Sequence, residues 1–222
     1  MGLADVVERM AREANPSAVA RARVAFEAAT GPFASGDAWY EERIGAFFDF
    51  ALASFEGGAL ARAFATRGDV ADGERALAVA VTRAERSLFR VERTDSGLVC
   101  ESLFGARYRI PATGVAARLL GGERVHGRLV ATDEAFELMP GALFHPAEAH
   151  DAIDAIVLEL RAKGAPPTAG SQAAVADALL RMRMRFDRFT SMHARHVYRY
   201  DAIERTEILA ASWARPEGRA PR

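Results

Sequence analysis

The stretch RMRMRFDRF, Arg181 to Phe189, decides how the chain is read. Taken alone, it alternates cation and apolar residue, the pattern of a half-buried strand. Taken with the preceding SQAAVADALL, a helical pattern fits better. Val175, Ala178, Leu179, Met182, Phe186 and Phe189 fall within about 80° of arc on a 3.6-residue repeat. Ser171, after the linker GAPPTAGS, is a fit N-cap. The spacing therefore predicts a helix over 171–190. Arg181, Arg185 and Arg188 share one flank of it and Arg183 lies on the other. Asp177 sits four residues before Arg181, in the favourable acid-first order. Leu180 and Met184 fall on the opposite side, a second buried face or a partner-docking face.

From Arg181 to Arg205, seven arginines stand against Asp187, Asp201 and Glu204, the one strongly basic stretch of the chain. Two readings follow. One is a phosphate-binding edge with Tyr198 and Tyr200 as stacking partners. The other is a solvated flank near a helix C-terminus, where cations are favoured anyway. Lys163 is the sole lysine among 29 basic residues, leaving 28 arginines (29 − 1). With abundant alanine, this points to a GC-rich, bacterial-type genome. Arginine is then the default surface cation, which favours the second reading.

Towards the N-terminus the pattern stays helical. Leu3, Val6, Val7 and Met10 mark a first helix, and Asn15-Pro16 reads as N-cap and first residue of a second. Asp37 is the expected cap of a third, whose stripe is Tyr40, Ile44, Phe47, Phe48, Ala51 and Phe55. Trp39, Ala46 and Phe50 lie on another side, so this helix should be central. Gly57-Gly58 interrupts it. ALARAFATRG and DGERALAVAVTRAER supply two more helices, the latter capped by Asp72, although ALAVAV also passes for a strand.

Near Ser87 the texture changes. LFRVER-TDSG-LVCESL is a hairpin signal, FGARYRIPA a third strand, and ERVHGRLVAT-DE-AFELMPG-ALFHP another hairpin with a short last strand. A helix starts at Pro146, carries Ala149, Ile153, Ile156, Val157 and Leu160, and ends at Gly164. The expected architecture is α+β: an N-terminal helical bundle (1–86), a small SH3/OB-like antiparallel β-barrel or meander (87–145), C-terminal helices (146–214) and a disordered tail (215–222).

GERVHGRLVATDEAFEL, Gly122 to Leu138, resembles the opening hairpin of S1-type OB domains. That resemblance implies a sheet face binding single-stranded RNA, with Phe136 as the aromatic and Arg124 and Arg128 as its basic neighbours. The region 87–145 itself holds seven arginines and seven acids, a neutral balance that argues against tracking a phosphate backbone.

Composition narrows the function classes. Half the residues are hydrophobic, 27% are charged and the net charge is −1, so a core is available and no global field steers the chain to nucleic acid or membrane. Cys100 is the single cysteine; GLVCESL places it in a strand as a small apolar residue rather than a nucleophile. MGLADVVERM lacks the features of a signal peptide, and no apolar run suits a membrane span, so a cytoplasmic protein with no membrane partner is expected. Metal-binding pairs are limited to His145 with His150 in HPAEAH, alongside Glu148, and His193 with His196 in HARH. Both read first as surface or capping residues. Trp39 and Trp213 read as core before ligand stacking. No P-loop, G-x-S-x-G or G-x-G-x-x-G is present, and no cofactor or metal is expected.

The reading is a non-catalytic, cytoplasmic interaction or regulatory protein, with a protein partner or a second copy at the Leu180–Met184 face. The alternatives are a nucleic-acid-binding protein using the barrel face and the basic 181–205 segment, and a metal-dependent hydrolase using the histidine pairs.

Overall fold

The computed structural model describes residues 2–37, 39–95, 97–133, 135–188 and 192–201, with Arg188 described by its backbone alone. Phe189, Trp213, the expected tail and the 202–205 end of the basic stretch lie outside the described residues.

The first helix, α1 (Leu3–Glu13), buries Leu3, Val6, Val7 and Met10, the stripe its periodicity dictates. Asn15 opens α2 (Pro16–Thr30); its side-chain oxygen accepts from the backbone N–H of Ser17 at 2.9 Å and Ala18 at 3.2 Å. Helix α3 (Tyr40–Ala53) starts differently from expectation. Asp37 turns back to accept from the Ala34 N–H at 2.9 Å, and Trp39 precedes the first helical residue. Gly57 and Gly58 both take positive φ and release the chain into α4 (Ala59–Ala65). In α5 (Asp72–Val81) the expected cap Asp72 is already helical. Glu74 reaches back instead, accepting from the Ala71 N–H at 3.0 Å. ALAVAV is helix, not strand.

Six strands follow: β1 (Glu85–Thr94), β2 (Gly97–Ser102), β3 (Arg107–Ile110), β4 (Arg124–Ala131), β5 (Phe136–Leu138) and β6 (Leu143–Phe144). They pair antiparallel in the order β3-β2-β1-β4-β5, with β6 also on β4. The result is an open, curled sheet, a half-barrel rather than a closed one. The curl brings its edges close: Tyr108 on β3 meets Phe136 on β5 edge-to-face, ring centroids 4.9 Å apart. The concave side is filled by Phe89, Val91, Leu98, Cys100, Val125 and Leu129. Burial there pushes the Cys100 thiol up to about 12, as suits a packing residue.

The outer face is covered by helices. Besides α3 and α5 over part of β4, these are α6 (His150–Ala162), α7 (Ala169–Arg188) and the short α8 (Ala194–Val197). The segment whose alternation suggested a strand is thus helical from Ala169 to Arg188. Its cap is Thr168 rather than Ser171, the Thr168 hydroxyl accepting from the Ser171 N–H at 3.1 Å. Val175, Leu179 and Met182 pack with Ile153, Ile156 and Leu160 of α6. Leu180 and Met184 are buried too, against Phe26 of α2 and Phe47 of α3. The expected partner seam is therefore filled by the chain's own helices. Among the described residues, no single helix is long and apolar enough to cross a membrane.

Arginine closes the C-terminal end of α2. Arg181, from α7, donates to the carbonyls of Ala28 and Ala29. Arg43, from α3, is fully buried and donates to the Thr30 carbonyl at 3.1 Å, the Thr30 hydroxyl at 3.0 Å and the Gly31 carbonyl. Its guanidinium lies 4.8 Å from the Trp39 ring centroid and 4.9 Å from that of Phe33. Two cations thus satisfy carbonyls at the negative end of a helix, where such groups lack intrahelical partners. Arg43→Ala should cost about 3 kcal/mol or more in urea unfolding, and Arg43→Lys should not restore it, because a lysine lacks the planar fork. Arg185, exposed on α7, should tolerate alanine within about 0.5 kcal/mol.

Candidate functional site

Strand β4 reads RVHGRLVA, and its alternation puts Arg124, His126 and Arg128 on one face. That face is the helix-covered one, so all three are buried, at 5–6% exposure. The β1–β4 register sets Arg86 opposite Arg128 and Arg90 opposite Arg124. Like charges directly opposite one another repel, more strongly where water is excluded. Each arginine therefore needs an acid from above.

Three receive one. Arg86 pairs with Asp177 of α7. The same helix holds β1 one turn earlier, where the Ser87 hydroxyl donates to the Gln172 side chain at 2.6 Å. Arg124 grips Asp154 of α6 with both Nε, at 2.7 Å, and Nη2, and also bonds the Gly122 carbonyl. That pairing holds the Asp154 carboxyl below the ordinary carboxylate range, against the opposing effect of burial. Arg128 faces Asp49 of α3 without a hydrogen bond between them. Burial, then repulsion from Arg86, lowers the Arg128 guanidinium to about 9, while Asp49 and Asp177 oppose the shift. Burial pushes Asp49 up to about 7, against the pull of Arg128 and of the Gly141 N–H, which donates to its Oδ2 at 3.0 Å. Gly141 must be glycine here: a Cβ would stand 2.3 Å from the Gly45 carbonyl oxygen and 2.6 Å from Asp49 Cγ.

Arg90, the fourth, is exposed and has no ion pair within 4 Å among the described residues. It opens onto a cleft of about 160 Å³ between the sheet and α6, with Arg124, Asp154, Leu158, Arg161 and Glu101 on its walls. Arg161 is anchored by the Leu103 carbonyl, which accepts from its Nε at 2.9 Å and Nη2 at 2.7 Å; Glu101 stands 3.8 Å from it. Leu158 at the cleft's edge is 66% exposed.

The histidines do other work. His126 is buried, its proton affinity lowered well below the ordinary range by burial and then by Arg86, whose Nη2 lies 3.4 Å from the ring. His145 is lowered to about 3, by burial and then by Arg183. Its Nδ1 is 3.1 Å from the Tyr198 hydroxyl. His150 donates to the His145 carbonyl at 3.1 Å. The His193 and His196 rings lie 6.1 Å apart. Among the described residues no three side chains of metal-ligating type cluster.

The residues selected from sequence are dispersed. Arg181 caps α2, Arg183 pairs with Asp187 at 3.1 Å and Arg185 faces solvent. Arg188 belongs to α7, its side chain outside the description. Tyr198 and Tyr200 are buried, at 2% and 8% exposure, and offer no stacking platform at the surface. The S1-type reading needs Phe136 beside Arg124 and Arg128. The register Ala131↔Phe136 places Phe136 on the concave side, whereas both arginines point outward to the helices. Arg86, Arg90, Asp49, Asp154 and Arg161 were not singled out from sequence, and Asp177, expected to support Arg181 along the helix, pairs with Arg86 instead. The readable signal was the basic residue type at every second position of RVHGRLVA. No protein-family model, curated protein or solved structure matches the chain.

The buried groups give a signed pH dependence. Between the ordinary 3.8 and about 7, folded Asp49 holds a proton that the unfolded chain has released, so its contribution to stability falls as pH rises through that window. His145, lowered from 6.5 to about 3, works oppositely: its contribution is present above 6.5 and lost as pH falls. Asp49→Asn removes the first effect and leaves the second. Urea unfolding from about pH 4 to 7 should therefore show the variant's stability rising more steeply with pH than that of the parent. Parallel curves would contradict the assignment.

Proposed function

We propose that this chain is a non-catalytic, cytoplasmic binding protein whose cleft between the sheet and α6 receives an acidic segment of a protein partner. The observation that carries the reading is Arg90. Of the two like-charged pairs it is the exposed member: Glu101 lies opposite it on β2 and its field reaches Asp154, yet among the described residues neither carboxylate closes an ion pair with it within 4 Å. The cleft's three arginines and two acids leave an excess of one positive charge, which matches a single carboxylate better than a phosphate chain. Exposed Leu158 and its neighbour Val157 offer apolar contact beside the charge, so an acidic residue flanked by a leucine or isoleucine suits the site. The free, buried Cys100 accords with a reducing compartment.

We read the half-barrel as a partly open SH3/OB-like scaffold. Its five-strand antiparallel path and the approach of β3 to β5 at Tyr108 and Phe136 support that reading. The arginines of β4 serve the helix interface instead of an open nucleic-acid face, which weighs against the RNA-binding alternative.

The test is fluorescence anisotropy with a labelled peptide carrying Glu between leucines, against its Gln counterpart. Only the acidic peptide should bind, less tightly as salt rises, and Arg90→Ala should weaken it about tenfold while Arg185→Ala leaves it unchanged. Binding that ignores Arg90, or a single-stranded RNA that binds in its place, would overturn the proposal.

A further inference from the structure

Beyond the other end of β4, a groove of about 720 Å³ runs between the start of α1, α5 and the β4–β5 turn. Its floor is apolar, with Leu3, Leu77 and several alanines, and among the described residues its charged lining is acidic without a cation. One of those acids, Glu74, is neutralised by Arg9, whose Nη1 donates to both carboxylate oxygens at 2.7 and 2.8 Å. Asp133 and Glu137 have no ion pair within 4 Å among the described residues.

The chain therefore carries an exposed cation that closes no ion pair within 4 Å, in a cleft with one positive charge in excess and beside an exposed leucine, and two acids that close none beside an apolar groove. It cannot join them to each other. Arg90 is level with Arg124 at the start of β4, and Asp133 lies beyond Ala131 at its end. Eight residues of strand separate the two levels by roughly 25 Å.

We propose that a second copy of this chain is the cleft's partner: Asp133 and Glu137 of one copy meet Arg90 of the next, and Leu158 of that copy enters the groove beside them. The inference rests on the cleft reading above and names the occupant. Because two different patches meet, the contact is heterologous. Each pair leaves one cleft and one groove open, so assembly continues into a ring or a filament and does not stop at a two-fold dimer.

Sedimentation velocity on the full chain tests this. Average mass should rise with concentration at low salt and fall back as salt is added. Arg90→Glu alone should be monomeric, and so should the double variant Asp133→Arg, Glu137→Arg. An equimolar mixture of the two should associate again, since each then meets a complementary patch. The milder pair Asp133→Asn, Glu137→Gln should weaken association about tenfold with an unchanged circular dichroism spectrum. A wild-type chain that stays monomeric up to about millimolar concentration, or an assembly that survives Arg90→Glu, overturns the inference. The cleft reading is judged separately: Arg90-dependent binding of the acidic peptide by a monomeric chain keeps it, and its absence removes both.

Discussion

Two arginine pairs, Arg86 with Arg128 and Arg90 with Arg124, lie across adjacent strands on a face that helices cover. Everything above that face answers to them. Cations held side by side away from water are tolerated only if acids come within reach, and each acid comes from a different helix: Asp49 from α3, Asp154 from α6, Asp177 from α7. Such pairs add little net stability, because desolvation offsets most of their attraction. What they do add is discrimination. A helix shifted by one turn would leave both a buried cation and a buried acid alone, so the charges fix where apolar surfaces alone would slide.

The neighbouring packing follows from that placement. For Asp49 to face Arg128, α3 must lie close to the β5–β6 connection, and Gly45 and Gly141 make the approach by carrying no side chains. With α3 so placed, Arg43 reaches the end of α2 from one side, while α7, held to β1 by Asp177 and Gln172, brings Arg181 to it from the other. The basic helix flank that first suggests a phosphate site is thus in part a helix cap. Arg90, the exposed arginine of the stripe, shares its cleft with Glu101 and Asp154 and stands beside a leucine in solvent, the place the proposed partner would occupy.

Much of the fold was legible because periodicity survives burial. The α1 stripe, the Asn15 cap, the two hairpins and the helical reading of 171–188 all rest on patterns of several residues. Single-residue choices were not legible. Asp37, Asp72 and Ser171 all have the right chemistry to cap, but Trp39, Ala71 and Thr168 occupy the positions, because a cap is set by where the preceding loop enters. The candidate site was harder still. Arg43 and Asp49 look like ordinary polar positions, and only the apolar girth of α3 hints that they have no water to face. The alternation of RVHGRLVA resembled an open, half-exposed strand. Nothing local to it reveals that α3, α6 and α7, all distant in sequence, close over the charged side.

The central claim, that Arg86, Arg124 and Arg128 on the covered face of the sheet each face an acid borne by a different helix, is tested most directly by a double-mutant cycle on Arg86 and Asp177. Urea unfolding should show Arg86→Met and Asp177→Leu each losing about 3 kcal/mol, and the double variant recovering most of the loss, a coupling of about 2 kcal/mol or more. Additive losses, with no recovery in the double variant, would show that the two charges do not depend on each other and would contradict the account.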